Sequence, residues 1–259
     1  MATATFTVIL GSLGRPTLVH LLDSIKRQER VHGDQCIVAI DSYQQGERQD
    51  VQDLVHSYGE GFIACAYDAG YHWLGVEQIN YAMRTIPITG THILTIGDDD
   101  VFVDSAYASI RPYCSKDLLR PVMYRVLSPK ALTEPYYREL LPVQMERGRG
   151  PFEQYRIGGS SIAAPWPLVE PMTVEKTIHH DYMWLSDIVK RAERLPLWLD
   201  YCVVIARAEP RGNDVTHQGI LHCWFCGAWD FMEDVEPTRT YCKCGLPFDK
   251  FSFRVKVAQ

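Results

Sequence analysis

The chain has 259 residues, of which 46% are hydrophobic and 22% charged, and its formal net charge is −6 at pH 7. This balance is typical of a globular protein with a sizeable core, and it excludes an extensively disordered chain. The negative charge argues against wholesale coating of nucleic acid, although it permits a local basic patch. No apolar run approaches the roughly 20 residues of a membrane-spanning helix, and no secretion signal stands out at the N-terminus. We therefore expect a soluble, cytoplasmic protein.

The first hundred or so residues alternate apolar strands with amphipathic helices. A strand is predicted at 5–10, followed by a GSLGRP turn and a helix whose leucines recur at helical spacing behind Thr17, a candidate cap. Further strands are predicted at 35–40, 61–67 and 91–96, with helices at 48–58 and 76–84 between them. This rhythm predicts a largely parallel sheet with right-handed crossovers. In such sheets ligands bind beyond the carboxyl ends of the strands, which here means residues 11–15, Asp41 and residues 98–100.

The second half of the sequence is less regular. Residues 111–156 are rich in Arg, Pro and Tyr, and we predict long loops with short elements there. A Gly-Gly-Ser-Ser turn then leads into an apolar stretch, followed by a helix at 182–194 and a strand at 198–206. Single cysteines in apolar surroundings are interpreted as buried reduced thiols; these are Cys36, Cys65, Cys114 and Cys202.

Three adjacent carboxylates, Asp98, Asp99 and Asp100, follow the fourth predicted strand. Each neighbouring pair repels by roughly 1 kcal/mol or more, which a fold tolerates most easily when a divalent cation neutralises the charges. Alternation along an extended segment would put Asp98 and Asp100 on one side. Their hard oxygen ligands favour Mg²⁺ or Mn²⁺ bridging to a diphosphate. The alternative interpretations are a solvated turn and a cap for the next helix.

Four cysteines cluster near the C-terminus in two short motifs, each ending in Cys-Gly. Cys223 and Cys226 form the first motif, and Cys242 and Cys244 form the second. Four thiolates at this spacing predict a closed, tetrahedral Zn²⁺ site that stabilises the fold and does not catalyse. The alternatives are four free thiols or a disulfide pair. We place a zinc-ribbon-like appendage at residues 221–259.

The motifs over residues 5–220, taken in order, resemble the GT-A glycosyltransferases close to family 2. The resemblance implies an α/β fold with a Rossmann-like, mostly parallel sheet in a domain spanning residues 1–220. It implies a UDP- or GDP-sugar as donor and Mn²⁺ or Mg²⁺ as cofactor. The residues it assigns to the nucleotide sugar are Gly11, Ser12, Arg15, Asp41, Asp98, Asp99, Gly158 and Gly159. It assigns Asp98 and Asp100 to the metal, with a histidine from the C-terminal part completing the set.

The same resemblance implies an acceptor side. His217 is the candidate histidine for the metal, with His222 as an alternative beside the zinc cysteines. Asp181 falls where the family places the general base of an inverting displacement. His180 stands where the family more often has Glu, and it is the second candidate base because its unperturbed pKa suits the task.

Basic residues with interleaved aromatics follow in the middle of the chain, a pattern that fits a nucleic-acid acceptor. These basic residues are Arg111, Lys116, Arg120, Arg125, Lys130, Arg138, Arg147, Arg149 and Arg156. With the zinc motif, the chain resembles enzymes, often phage-encoded, that glycosylate modified DNA bases; the host cytoplasm would then be its location. The alternative functions are transfer to a carbohydrate, lipid or protein, nucleotidyl transfer, and zinc-dependent nucleic-acid binding without catalysis.

Overall fold

The computed structural model describes residues 2–43, 46–70, 75–127, 159–174, 180–205, 220–223, 229–231 and 252–254. The chain divides into two compact units, Met1–Glu209 and Pro210–Gln259. In the described part of the chain, no helix has both the length and the apolar character needed to cross a membrane.

The first unit is built on an eight-stranded sheet with the strand order β3-β2-β1-β4-β7-β6-β8-β5. The strands are β1 (Phe6–Ser12), β2 (Gln35–Asp41), β3 (Phe62–Tyr67), β4 (His92–Thr95), β5 (Val101–Phe102), β6 (Val122–Leu127), β7 (Ile162–Pro165) and β8 (Leu197–Ile205). Strands β3, β2, β1 and β4 are parallel neighbours, and β6 is parallel to β8. β7 is antiparallel to both β4 and β6, and β5 is antiparallel to β8. The predicted α/β fold with a mostly parallel sheet is confirmed.

Helices cover both faces of this sheet. They are α1 (Leu18–Lys26), α2 (Gln49–Ser57), α3 (Val76–Thr85), α4 (Ala106–Lys116), α5 (Trp166–Val169) and α6 (His180–Arg191), with a 3₁₀ turn at Gly159–Ser161. Alternate side chains of β1 separate into two apolar clusters, since Val8 and Leu10 join α1, α2 and α4 whereas Ile9 joins α3, α5 and α6. The core therefore lies in two layers, one on each side of the sheet.

Two local predictions were wrong. Residues 111–127 are not a long loop, because they contain the end of α4 and strand β6. Pro112 inside the helix and Arg111 on its buried face hid the helical spacing of the apolar residues. Thr17 precedes α1 but already has helical backbone angles, and its side chain makes no capping hydrogen bond.

The prediction of buried reduced thiols is confirmed for Cys36 and Cys114, whereas Cys65 is only partly buried. Cys36, Cys65 and Cys114 are free, and the first and last are fully buried. Burial raises the pKa of both Cys36 and Cys114 to about 12, so these thiols stay protonated at neutral pH. The side chain of Cys202 lies outside the described residues.

His92, the first residue of β4, is fully buried next to the ring of Phe6. Its Nδ1 lies 3.0 Å from the hydroxyl of Thr91. Burial lowers the pKa of His92 to about 4, against a smaller opposing effect of the Asp117 carboxylate. The native state therefore holds this imidazole neutral at physiological pH.

The depressed pKa of His92 predicts an acid-sensitive fold. Because an unfolded histidine binds a proton below about pH 6.5, stability is complete above that pH and is lost as pH falls towards 4. The loss between pH 7 and pH 4.5 should reach about 2–3 kcal/mol for this one group. Urea denaturation of wild type and His92→Phe at both pH values measures it. An equal pH dependence in the two proteins would contradict the assignment.

The second unit contains a three-stranded antiparallel sheet of order β10-β9-β11. Its strands are β9 (Ile220–Cys223), β10 (Trp229–Phe231) and β11 (Ser252–Arg254). His222 of β9 pairs with Trp229 of β10 and with Phe253 of β11. Cys223, the first predicted zinc ligand, thus ends the central strand.

Candidate functional site

The acidic triplet forms a tight turn between β4 and β5. The backbone N–H of Asp100 donates to the carbonyl of Gly97 at 3.1 Å, so the prediction of an extended, alternating segment was wrong. The turn is not solvated either, since Asp98, Asp99 and Asp100 are only 5%, 8% and 7% exposed. Nor does the triplet cap a helix, because α4 begins only at Ala106. Burying three neighbouring carboxylates is costly unless charges or donors compensate them.

Asp98 is held by the loop that leaves β1. The Ser12 hydroxyl donates to Oδ2 of Asp98 at 2.9 Å, and the Leu13 N–H donates to the same oxygen at 3.3 Å. The Arg15 guanidinium forms an ion pair with Oδ1 at 2.9 Å, with both side chains below a tenth exposed. Burial raises the pKa of Asp98, while Arg15 and the Ser12 hydroxyl oppose that rise. Ser12 and Arg15 therefore meet at the carboxylate of Asp98, which lies 83 or more positions away in the sequence. All three residues were predicted to bind the nucleotide sugar.

Asp99 and Asp100 converge over Gly97. A side-chain Cβ at residue 97 would lie 2.9 Å from Oδ1 of Asp99 and 3.2 Å from Oδ2 of Asp100. The Gly97 N–H and the Ser160 hydroxyl both donate to Oδ2 of Asp100, at 3.3 and 3.2 Å. Glycine at position 97 thus leaves room for two carboxylate oxygens on the same side of the turn.

Two glycines let the backbones of β1 and α3 touch. A Cβ at Gly11 would lie 2.6 Å from Cα of Gly75, closer than real Cβ atoms approach. Gly75 immediately precedes α3 with a φ of +72°, a conformation that glycine adopts without strain. A larger residue at position 11 would therefore push the start of α3 away from the β1 loop.

The outer side of the β1 loop is fixed by Arg48, which precedes α2. Its Nη1 donates to the Leu13 carbonyl at 2.8 Å, and it forms an ion pair with Asp50 at 3.2 Å. Gly14 lies directly beneath this guanidinium with a φ of +70°. The loop is therefore held from inside by Asp98 and from outside by Arg48.

Asp41 ends β2 at the same edge of the sheet and is 2% exposed. One of its carboxylate oxygens accepts the N–H of Tyr43 at 2.9 Å. Its register partner on β3 is Tyr67, whose ring stacks on that of Tyr81 at 4.3 Å. Asp41 therefore lies one strand away from the loop of β1, next to a pair of stacked aromatic rings.

The remaining predicted site residues are only partly described. Gly159 begins the 3₁₀ turn whose Ser160 contacts Asp100. The backbones of His180 and Asp181 begin α6, but their side chains lie outside the described residues, as do Gly158 and His217. Cys223 is described only as backbone, and Cys226, Cys242 and Cys244 lie outside. Among the described residues, no three His, Cys, Asp or Glu side chains are placed to hold a metal together.

Several contributors to the site were not predicted individually. Ser160 was part of a recognised glycine motif, yet nothing in its spacing indicated a bond to Asp100. Gly97 precedes the acidic triplet and Gly75 precedes the predicted helix at 76–84, and a glycine at such a boundary is the only available signal. Leu13 contacts Asp98 through its backbone N–H, so its side chain gave no indication of that contact.

One predicted nucleic-acid contact is wrong. Arg111 is 9% exposed and forms an ion pair with Asp34 at 2.7 Å, so it belongs to the core of the first unit. Lys116 is exposed and Arg120 is half-buried. The side chains of the other predicted contacts lie outside the described part of the chain; these are Arg125, Lys130, Arg138, Arg147, Arg149 and Arg156.

Comparison with known proteins identifies the fold. No protein-family model matches the sequence, and no curated protein matches it. Solved structures of glycosyltransferases, by contrast, share the fold of this chain. The predicted fold class is confirmed by this likeness.

Two of these structures illustrate the similarity. The mannosyltransferase PcManGT from Pyrobaculum calidifontis, in complex with GDP-Man and Mn²⁺, has a TM-score of 0.59 at 13% identity and covers 82% of this chain. TarS 1-349 from S. aureus has a TM-score of 0.57 at 13% identity and covers 78% of this chain. TarS structures include complexes with UDP and with UDP-GlcNAc. The chain spans only 59–60% of the length of these neighbours.

Proposed function

We propose that this protein is a glycosyltransferase that moves a sugar from a nucleotide-diphosphate sugar to an acceptor hydroxyl. The observation that carries the proposal is the buried ion pair between Arg15 and Asp98, which joins the β1 loop to the acidic turn. In a sheet of this kind, both lie where parallel strands end and ligands bind. The fold neighbours bound to UDP, UDP-GlcNAc and GDP-Man support a nucleotide-sugar donor.

The acidic turn fits a divalent cation. Two carboxylate oxygens, from Asp99 and Asp100, converge over Gly97, and hard oxygen ligands suit Mn²⁺ or Mg²⁺. Such ions commonly take substrate phosphates as further ligands. From the sequence resemblance we propose Asp98, Asp100 and His217 as the protein ligands that would hold it, and from the convergence over Gly97 we add Asp99. When bound, the ion would offset the charge that builds on the departing diphosphate.

The chain's own groups have separate tasks in this proposal. Ser12 and the backbone at Gly11 position the diphosphate, while Arg15 supplies a positive charge to it. Asp41 accepts a hydrogen bond from the base or ribose, and Gly158 and Gly159 let the backbone approach the sugar closely. Asp181, or His180 beside it, takes the proton from the acceptor hydroxyl as the displacement inverts the anomeric carbon.

Donor binding tests this function directly. A thermal-shift screen of UDP, GDP and their sugar conjugates is expected to raise Tm with at least one nucleotide, and more strongly with Mn²⁺ than with EDTA. Release of free UDP or GDP from the matching sugar nucleotide then separates a transferase from a pure binding module. If no nucleotide diphosphate binds in the presence of Mn²⁺ or of Mg²⁺, sugar transfer is refuted.

The acceptor proposed from the sequence is a hydroxymethylated or otherwise modified base in DNA. Its support is the basic and aromatic composition after residue 115. The buried Arg111 no longer counts among the basic residues that support it. Transfer of labelled sugar to hydroxymethylated DNA, compared with unmodified DNA and with simple glycosides, distinguishes it from the carbohydrate alternative. Label on glycosides alone would refute the DNA acceptor.

The second unit is proposed to hold a structural Zn²⁺ on Cys223, Cys226, Cys242 and Cys244. The position of Cys223 at the end of β9, just before a connection to β10, supports a metal-binding turn between paired strands. Zinc measured by atomic emission is expected at one ion per chain, and a strong chelator should expose this unit to proteolysis while leaving the first unit intact. Protein free of zinc with an unchanged digestion pattern would contradict the site.

A further inference from the structure

The acidic turn is already paired with one positively charged group, the Arg15 guanidinium of the β1 loop. Its guanidinium lies 2.9 Å from Oδ1 of Asp98, and the two side chains are 9% and 7% exposed. Little water screens an ion pair this buried, and removing one partner leaves an uncompensated charge. Asp98 is also the carboxylate that the proposed function gives to the metal.

Arg15 and a metal ion would compete for the carboxylate of Asp98. Asp98 additionally accepts the Ser12 hydroxyl at 2.9 Å and the Leu13 N–H at 3.3 Å, so its oxygens are already occupied by the β1 loop. A divalent ion approaching Asp98 therefore meets a positive guanidinium within a few ångströms and competes with it for the same carboxylate. A diphosphate changes this balance, because it supplies negative oxygens that a guanidinium binds well.

We propose that Arg15 is the internal counter-ion of the metal site, and that it exchanges from Asp98 to the donor's diphosphate when metal and nucleotide bind together. The proposal rests on the proposed function and extends it to how binding is coupled. Metal alone breaks the contact between Arg15 and Asp98, whereas metal with a diphosphate also supplies phosphate oxygens that the guanidinium binds. Metal and nucleotide therefore strengthen each other's binding by the same factor.

The geometry of the loop permits the exchange. Arg15 follows Gly14, whose φ is +70°, while Arg48 holds the preceding carbonyl of Leu13 from the opposite side. The Leu13 and Ser12 contacts to Asp98 do not depend on Arg15. The guanidinium can thus leave Asp98 while the loop that carries it stays in place.

Arg15→Gln provides the test, because the two expected effects have opposite signs. In the absence of nucleotide, Mn²⁺ affinity measured by electron paramagnetic resonance should rise by about tenfold or more, the size expected for one nearby charge removed from a partly buried site. Affinity for UDP or GDP in the presence of Mn²⁺ should fall by about tenfold, while affinity for the free nucleoside stays the same. The factor by which Mn²⁺ strengthens nucleotide binding should shrink accordingly.

Arg27→Gln is the matched control, since it removes the same charge from an exposed pair with Asp104. It should leave Mn²⁺ affinity unchanged. Unchanged or weaker Mn²⁺ affinity in Arg15→Gln would overturn the exchange. Wild-type protein that binds no nucleotide diphosphate with Mn²⁺ would instead refute the proposed function, and the exchange with it.

A second variant keeps the proposal testable if Arg15→Gln does not fold. Asp98→Asn removes the carboxylate that holds Arg15, so the guanidinium should bind diphosphate even without metal. Affinity for UDP or GDP in EDTA is expected to rise several-fold over wild type, and Asp104→Asn should show no such gain. Equal or weaker binding in Asp98→Asn would overturn the exchange while leaving metal-dependent binding by wild type intact.

Discussion

Replacing Asp100 with asparagine is expected to abolish metal-dependent cleavage of the sugar nucleotide. The substitution keeps the shape of the side chain, and its amide oxygen can still accept from Ser160 and Gly97. It removes the negative charge that a divalent ion requires. A bound ion contributes several kcal/mol of charge stabilisation, so the rate of UDP or GDP release should fall by at least about a hundredfold.

The same substitution should not weaken the fold. Asp100 is buried beside Asp99, and removing one of these adjacent charges relieves repulsion of roughly 1 kcal/mol. Tm measured without metal is therefore expected to stay the same or rise, which separates lost function from lost structure. Asp104→Asn, four residues along at an exposed carboxylate, is the matched control and should retain activity. Metal-dependent activity retained in Asp100→Asn would remove the acidic turn from the proposed mechanism.

The parallel half of the sheet could be predicted because its strands are short apolar runs that end at polar residues. β1, β2 and β4 lead into Ser12, Asp41 and Asp98, and each boundary lies within two residues of its prediction. Such runs are buried on both faces in a parallel sheet, so they stand out from the surrounding helices. β6 and α4 were missed because Pro112 and the many arginines made that region resemble a loop.

The residue types of the site could be predicted, but the way they are paired could not. Arg15 and Asp98 are 83 positions apart, and no spacing rule relates them. The turn geometry of the acidic triplet depends on the hydrogen bond from Asp100 to Gly97 and on the course of β5. Arg111 shows the same limitation, since an arginine among basic neighbours has the same sequence signal whether it faces solvent or a buried aspartate.

Arg111→Met is expected to destabilise the first unit strongly. Arg111 forms two hydrogen bonds to Asp34, at 2.7 and 3.2 Å, and lies 4.5 Å above the ring of Phe6. Methionine keeps much of the apolar stem but leaves Asp34 as a buried, uncompensated charge. Breaking a buried pair in this way typically costs about 3–5 kcal/mol. Urea denaturation at pH 7 measures the loss as a lower midpoint.

Two controls separate the charge from the packing. Arg194→Met removes an exposed guanidinium from its pair with the partly buried Asp117 and should cost less than about 1 kcal/mol. Adding Asp34→Asn to Arg111→Met should recover part of the loss, because the buried carboxylate is then gone. A loss below about 1 kcal/mol for Arg111→Met would contradict the buried-pair account.

The Arg111–Asp34 pair also links the core to the candidate site. Asp34 accepts the N–H of Phe6, the first residue of β1, at 2.7 Å, while Arg111 lies on α4, which follows the acidic turn. β1 ends in the loop that holds Asp98. This buried ion pair thus fixes β1 and α4 at the end of the sheet opposite the site. Its loss should therefore weaken the binding of the nucleotide sugar as well as the stability of the fold.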